Sequence, residues 1–296
     1  MKGQRTVTML GCVLVVALFA GSILSRRQVE KIRGNQATLE DTLYLPSGKT
    51  VKRLSLGYSS LLADVYWTRA VQYFGLRHIV GARRYDLLYP LLDITTDLDP
   101  HLIVAYETGS IFLSQKQPDG AGQPDKAVAL VEKGIRENPA YWRLYFTLGF
   151  IHYVDRKDYK AAQQAFQKGS EVPGALPWMK IMAARLAEKA YDPTTATYLW
   201  KTIFETTHDA SVKDTAAKHL ISLRADSEMD ELERRTQAYY QRFKAYPEEW
   251  SELVRAGLLR GVPMDPNGVP YKLRLDGTVQ VEDPKQFPYL ERHGTK

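Results

Sequence analysis

Hydrophobic and polar positions divide the chain into four stretches with different periods. Residues 6–24, TVTMLGCVLVVALFAGSIL, form an uncharged run of 19 residues. As a helix this run would span about 28 Å, close to the hydrocarbon thickness of a bilayer. Residues 34–54 are polar and turn-bearing. There Leu43–Leu45 and Thr50–Leu54 flank Pro46-Ser47-Gly48, which predicts a short extended pair around a tight turn. From about 55 to 245 apolar residues recur at helical spacing almost without a break, in segments of 11 to 20 residues joined by short loops. After Tyr246 the pattern changes. Six of the 15 prolines fall in the last 50 residues, and Asp265-Pro266-Asn267-Gly268 reads as a turn. Tyr271–Leu275 and Thr278–Val281 can pair as a hairpin across Asp276-Gly277.

Within the helical stretch the pattern repeats. Ala127, Val131 and Gly134 precede Pro139, and Ala162, Phe166 and Gly169 precede Pro173. Each copy places a larger apolar residue four after a small one, a glycine three after that, and then a proline. Ala196, Trp200 and Ile203 keep the spacing before Thr207, and Tyr85, Leu88, Leu92 and Thr95 form a divergent early copy ending at Asp99-Pro100. The other half of each hairpin lies upstream. Tyr145, Leu148, Gly149 and His152 supply one, with Gly149 13 residues ahead of Ala162. Ala183, Ala184 and Ala187 supply another, with Ala184 12 residues ahead of Ala196. Small residues at such places let two helices approach closely, while aromatics fill the gaps between hairpins.

This spacing resembles the tetratricopeptide repeat (TPR), well over 101–207 and more weakly over 55–100 and 208–245. Three departures stand out. The loop Ser114–Gln123 is longer by about six residues, glycine replaces the usual alanine at 134 and 169, and the copy ending at Thr207 lacks its proline. Tyr44-Leu-Pro-Ser-Gly48, followed by Leu56-Gly57-Tyr58, Ala63-Asp64 and Trp67, resembles the segment leading into the helices of membrane-anchored bacterial TPR proteins. That resemblance implies an envelope location more than an activity. Leu253–Leu259 with Pro263–Tyr271 is similar, over about 20 residues, to the C-terminal loop of type II secretion pseudopilins. The predicted fold is mainly α: a TPR-like α-solenoid of antiparallel helix pairs with an N-terminal transmembrane helix and a small C-terminal β-hairpin module. The domains are a membrane anchor with basic flanks (1–33), an extended linker (34–54), the helical repeat domain (55–245) and the Pro-rich module (246–296).

Charge changes the picture once it is placed along the chain. The formal net charge is +6, with 40 Lys plus Arg against 34 Asp plus Glu, a balance that invites nucleic-acid binding. Residues 1–33, however, carry six basic side chains and one acidic, a net of +5, so the other 263 residues share +1. No basic stripe remains for a phosphate backbone, and nucleic acid is not an expected partner. The charge flanks the apolar run and suits lipid headgroups. The run reads as an uncleaved anchor, because apolar residues continue past Ala20-Gly21-Ser22 to Leu24. A cleaved signal peptide is the competing reading. Both flanks are basic, and a short basic tail of this kind stays in the cytoplasm. The expected location is therefore a bacterial inner membrane, single-pass, with the remaining residues periplasmic.

Candidate chemistry is sparse. The single cysteine, Cys12, excludes an internal disulfide and a Cys-rich metal site, and it lies in the apolar run, where it is no nucleophile. His101, His152, His208 and His219 sit on different predicted elements with no His-x-x-x-His spacing, and His152 occupies a packing place in its repeat. No phosphate loop, dinucleotide fingerprint or Gly-x-Ser-x-Gly occurs. Asp64, on an otherwise apolar helix face, is a candidate buried carboxylate that Glu107 could approach, which would suit a sugar-cleaving enzyme on a helical scaffold. Asp265 and Asn267 match the pseudopilin loop near which that family binds calcium, but turn chemistry explains both. No catalytic residue, metal or cofactor is expected. What remains is the inward face of the first helix of each pair: Tyr106, Arg143, Phe146, Phe150, Tyr153, Trp178, Ile181 and Arg185. These are residue types that dominate binding hot spots. They predict a non-catalytic, membrane-anchored adaptor holding an extended peptide or helix in a concave groove. The alternative readings are an accessory factor of a secretion or pilus machine and the glycan-active enzyme.

Overall fold

A computed structural model describes residues 47–290, so the apolar run 6–24 and its basic flanks lie outside the described residues. Among those described, no helix is long and apolar enough to cross a membrane. The chain is mainly helical, with a two-stranded antiparallel sheet near its C-terminal end.

The first helix corrects an expectation. Thr50–Leu54 is not a strand but part of α1 (Gly48–Leu54), with Ser47 as its N-cap, while Leu43–Leu45, the other half of the expected pair, lies outside the described residues. Ser47 Oγ accepts from the Thr50 N–H at 3.2 Å, and Lys52 and Arg53 occupy the last turn, where the helix dipole favours cations. This short helix is held by packing on α3 (Leu88–Leu98). A Cβ at Gly48 would stand 2.5 Å from Asp97 Cβ, and Lys52 Nζ donates to the Asp97 carbonyl at 3.1 Å.

From there the helices run as a row: α2 (Ser59–Ile79), α3, α4 (Ile103–Ser114), α5 (Pro124–Glu137), α6 (Trp142–Phe150), α7 (Tyr159–Ser170), α8 (Trp178–Lys189), α9 (Pro193–Thr206) and α10 (Ala210–Phe243). Each packs on the next, and α2 also packs on α4, α3 on α5, and α4 on α6. The repeating residues make these contacts. Ala127, Val131, Ala162, Ala184, Ala196 and Trp200 are wholly buried. The glycines at 134 and 169 have a steric cause. A Cβ at Gly134 would lie 2.8 Å from the Tyr106 ring, and one at Gly169 would lie 2.5 Å from Met179 Cε and 2.7 Å from Tyr145 Cβ. Alanine fits neither place without displacing its neighbours. The extra residue between Gly149 and Ala162 is also accounted for. Ile151–Arg156 winds as a π-helical turn, which takes up one residue without breaking the helix.

Polar contacts between helices, half-buried and buried, tie the row together. Lys133 on α5 donates to Asp93 at 2.7 Å and to Asp97 at 2.5 Å, both on α3. Burial alone would lower its ammonium, but the two carboxylates prevail and hold it above the ordinary lysine value. On α8, buried Glu188 accepts through Oε1 from Trp200 Nε1 and His219 Nδ1, each at 2.8 Å. The His219 ring is stacked between Trp200, at 3.9 Å, and Tyr289, at 3.6 Å.

The end of the row departs from the expected 11 to 20 residue helices. No glycine or proline occurs between Asp209 and Tyr246, so 210–243 forms one helix about 50 Å long in place of a fading repeat. Asp209 caps it by accepting from Ser211 and Val212, and Lys244, at φ +60°, ends it. The expected hairpin is present as β1 (Lys272–Leu273) and β2 (Val279–Gln280), with Leu273 opposite Val279. The boundary placed at 245 cuts through a core. Ala225, Met229 and Leu232 of α10 pack with Trp250, Leu253, Tyr271, Val279, Val281 and Phe287. Tyr271 donates to Glu228, Thr236 to the Gly277 carbonyl, and the Val279 N–H to Glu233.

Candidate interaction groove

The helices α4, α6 and α8 each follow a loop, and on α6 and α8 one stripe runs along the edge of the core, with Phe146 and Ile181 packed against it. On α6 that stripe is Arg143, Phe146 and Phe150; on α8 it is Trp178, Ile181 and Arg185. Phe146 is half-buried, with its ring 5.6 Å from Trp178 and edge-on to it, 6.0 Å from Phe150 and 6.0 Å from buried Phe166. Phe150 and Trp178 remain 49% and 38% exposed. Arg143 and Arg185 are exposed, Ile181 is half-buried, and Tyr153 is half-buried beside Tyr159 with Lys189 Nζ 5.7 Å from its ring centre.

A cleft of about 320 Å³ opens between α4, α6 and the start of α8. Arg143, Phe146 and Trp178 line it, joined by Glu107, Ile111 and Leu176. The Arg143 guanidinium lies 5.5 Å from the Trp142 ring centre. Burial pushes the Glu107 carboxyl above its ordinary value, and Arg143 pulls it the other way. The site is thus an apolar, aromatic-edged trough with one cation and one partly desolvated carboxyl. It offers flat rings and a guanidinium for side-chain contact, with no nucleophile–base pair among its lining residues.

Tyr106 does not belong to this trough. It is wholly buried, with its ring against Gly134. The parallel contact in the next hairpin is Gly169 against Tyr145, so Tyr106 matches Tyr145 and not Phe146. An error of one residue turns a helix by about 100° and sends a side chain to the wrong face. In the corrected register Val104, Glu107 and Ile111 match Arg143, Phe146 and Phe150. The exposure of Val104 and Ile111 agrees with this. The signal was present in the chain: the position four before Gly149 is Tyr145, and Tyr106 stands four before the equally buried Ser110.

The other candidates fall apart as sites. Asp64 is exposed rather than buried, and Glu107 is the cleft's one lining carboxylate. Asp265 is buried, with Oδ1 accepting from the Asn267 and Val269 N–H groups at 2.8 and 2.9 Å, and Asn267 donates to Gln286. This is a closed Asx turn. His101 is bonded to Asn138, His219 to Glu188, and His152 is buried in its packing place. Among the described residues no three His, Cys, Asp or Glu side chains gather as metal ligands. No protein-family model matches the chain, and no curated protein matches it.

Proposed function

We propose that this chain is a TPR-like adaptor, anchored in a bacterial inner membrane by residues 6–24, that holds a protein partner along α4, α6 and α8 without catalysing a reaction. The observation carrying this reading is the set of part-exposed apolar side chains Ile111, Phe150, Leu176 and Trp178, with half-buried Phe146, in and beside the cleft between α4, α6 and the start of α8. A contiguous patch of part-exposed rings and aliphatic side chains is the kind of surface that a partner covers. An extended peptide or one face of a helix fits such a trough. Its bulky residues would meet the rings, and a carboxylate on it would meet Arg143 or Arg185. The repeat spacing, the packing of helices on neighbours one and two places away, and the apolar run upstream support the wider reading.

The test replaces Phe150 and Trp178 together by Ala in the full chain and measures partner recovery after crosslinking in envelope membranes. Loss of recovery at unchanged helicity is expected, with some loss of stability because Trp178 also packs on Phe146 and Phe166. Unchanged recovery rejects the groove.

A further inference from the structure

We propose that the N-terminal end of the helical row, α1 and α2, rests on an anionic phospholipid surface. Two independent features of the described residues converge there. The first is apolar exposure. Tyr58, Leu61, Val65, Leu76 and Ile79 follow helical spacing and share one face of α2. Ile79 is 83% exposed and Leu61 is 61% exposed, while Leu56, in the turn before α2, is 87% exposed. Uncharged Thr68 and Gln72 fill the middle of the same face. No described helix covers this stripe, although the opposite side of α2 is fully packed through Ala63, Ala70 and Trp67. A helix with three ionised side chains, Asp64, Arg69 and Arg77, lies in the interface and does not span it.

The second feature is charge. Residues 47–84 hold seven basic side chains and one acidic, whereas residues 85–290 hold 25 basic and 29 acidic. The near-neutrality of the helical region is therefore a cancellation between a basic end and a weakly acidic remainder. Arg69 stands four residues after Val65 and so borders the stripe. Arg53 precedes it and Arg83 follows it, while Arg84 is paired with Asp86 at 3.0 Å.

Apolar side chains ringed by cations match acyl chains beneath anionic headgroups. A second copy fits poorly, because a two-fold interface would set this basic patch against itself. The chain's own order supplies the approach. Twenty-three residues separate Leu24 from Gly48, a tether of at most about 80 Å. With 6–24 in a bilayer, α1 and α2 are held beside it. The docked end would also fix how the trough on α4, α6 and α8 is presented. The lipid contact itself stands on the stripe and the charge, whatever the trough binds.

The experiment uses the full chain with Cys12→Ser, labelled with an environment-sensitive fluorophore at Leu61→Cys, at Ile79→Cys, or at Tyr198→Cys, an exposed position on α9. Each is mixed with phosphatidylcholine vesicles, with or without about a third phosphatidylglycerol, that carry a nitroxide-headgroup lipid. Quenching at 61 and 79 is expected to exceed that at 198 by ~3-fold or more in anionic vesicles, and to fall when Arg53→Glu and Arg69→Glu are added. Equal quenching at all three sites, or quenching that ignores the anionic lipid, overturns the proposal. So does burial of the probes that rises with protein concentration without vesicles, which would assign the stripe to a second copy. Vesicle readings leave crosslinking through Phe150 and Trp178 unaffected, so the lipid contact and the partner trough fail separately.

Discussion

The two ends of the helical row meet the same physical problem and solve it differently. A stack of helices buries each apolar face against the next member, and the terminal members have no neighbour. At the C-terminal end the chain supplies its own cover. Helix α10 runs on past the row, its second half shares a core with Trp250, Tyr271 and Phe287, and Tyr289 closes over His219. At the other end α2 keeps its stripe exposed, bordered by Arg69 and flanked along the chain by Arg53 and Arg83. A face that a chain will bury in itself is closed by aromatic side chains whose polar tips find acceptors. Trp250 Nε1, for example, donates to the Tyr271 carbonyl at 2.8 Å. A face left for an external surface keeps its charge at the margin.

Truncating side chains at the two ends should separate them most sharply. Trp250→Ala, at the covered end, is expected to cost about 3–5 kcal/mol in denaturant unfolding. Nearly as large is the loss for Glu188→Ala, about 3 kcal/mol, because it leaves the Trp200 and His219 N–H groups buried without their acceptor. Glu188→Gln, which keeps one oxygen, should cost less. In the middle of the row Gly169→Ala must push against Met179 and Tyr145 and is expected to cost about 1–3 kcal/mol. The smallest effect belongs to the open end. Leu61→Ser should change stability in solution by no more than about 0.5 kcal/mol while weakening vesicle contact. A cost at Leu61 as large as that at Trp250 would mean the two ends are covered alike.

A pH titration sharpens the middle of the comparison. Burial holds the His152 imidazole below its ordinary value, with Asp158 pulling it up and Arg156 pushing it down. The folded chain therefore keeps it neutral at pH values where the unfolded chain binds a proton. Its contribution to stability is fully present above about pH 6.5 and declines as pH falls below that. Glu107, raised by burial, works with the opposite sign above its unfolded value, since the folded chain then binds the extra proton. The difference between the wild-type chain and His152→Gln isolates the histidine: the decline below about pH 6.5 should flatten in the variant.

How much of this was legible beforehand follows from the kind of signal each feature leaves. Close helix contacts require small residues at fixed intervals, so Ala127, Ala162 and Ala196 announced the row directly. The glycines at 134 and 169 looked like departures only because the rings facing them, Tyr106 and Tyr145, belong to other helices. The seven-residue α1 was hidden because its stability comes from α3, and β-branched Thr50 and Val51 read as extended when taken alone. Register failed at Tyr106, where a lengthened loop removed the fixed distance to the next copy. The merger of α10 with the C-terminal module left no mark at the boundary, since a helix that serves two cores keeps one unbroken period. The net charge of +1 over residues 34–296 conceals a basic end beside an acidic remainder.

The trough along α4, α6 and α8 is proposed as the face that meets a protein partner. The most direct measurement places a photo-crosslinking amino acid at Ile111, Phe150 or Tyr198 of the full chain in its native membranes. A shared adduct from Ile111 and Phe150, none from Tyr198, and loss of the adduct when Trp178→Ala is added are expected. Equal labelling from all three positions, or an adduct from Tyr198 alone, would contradict that proposal.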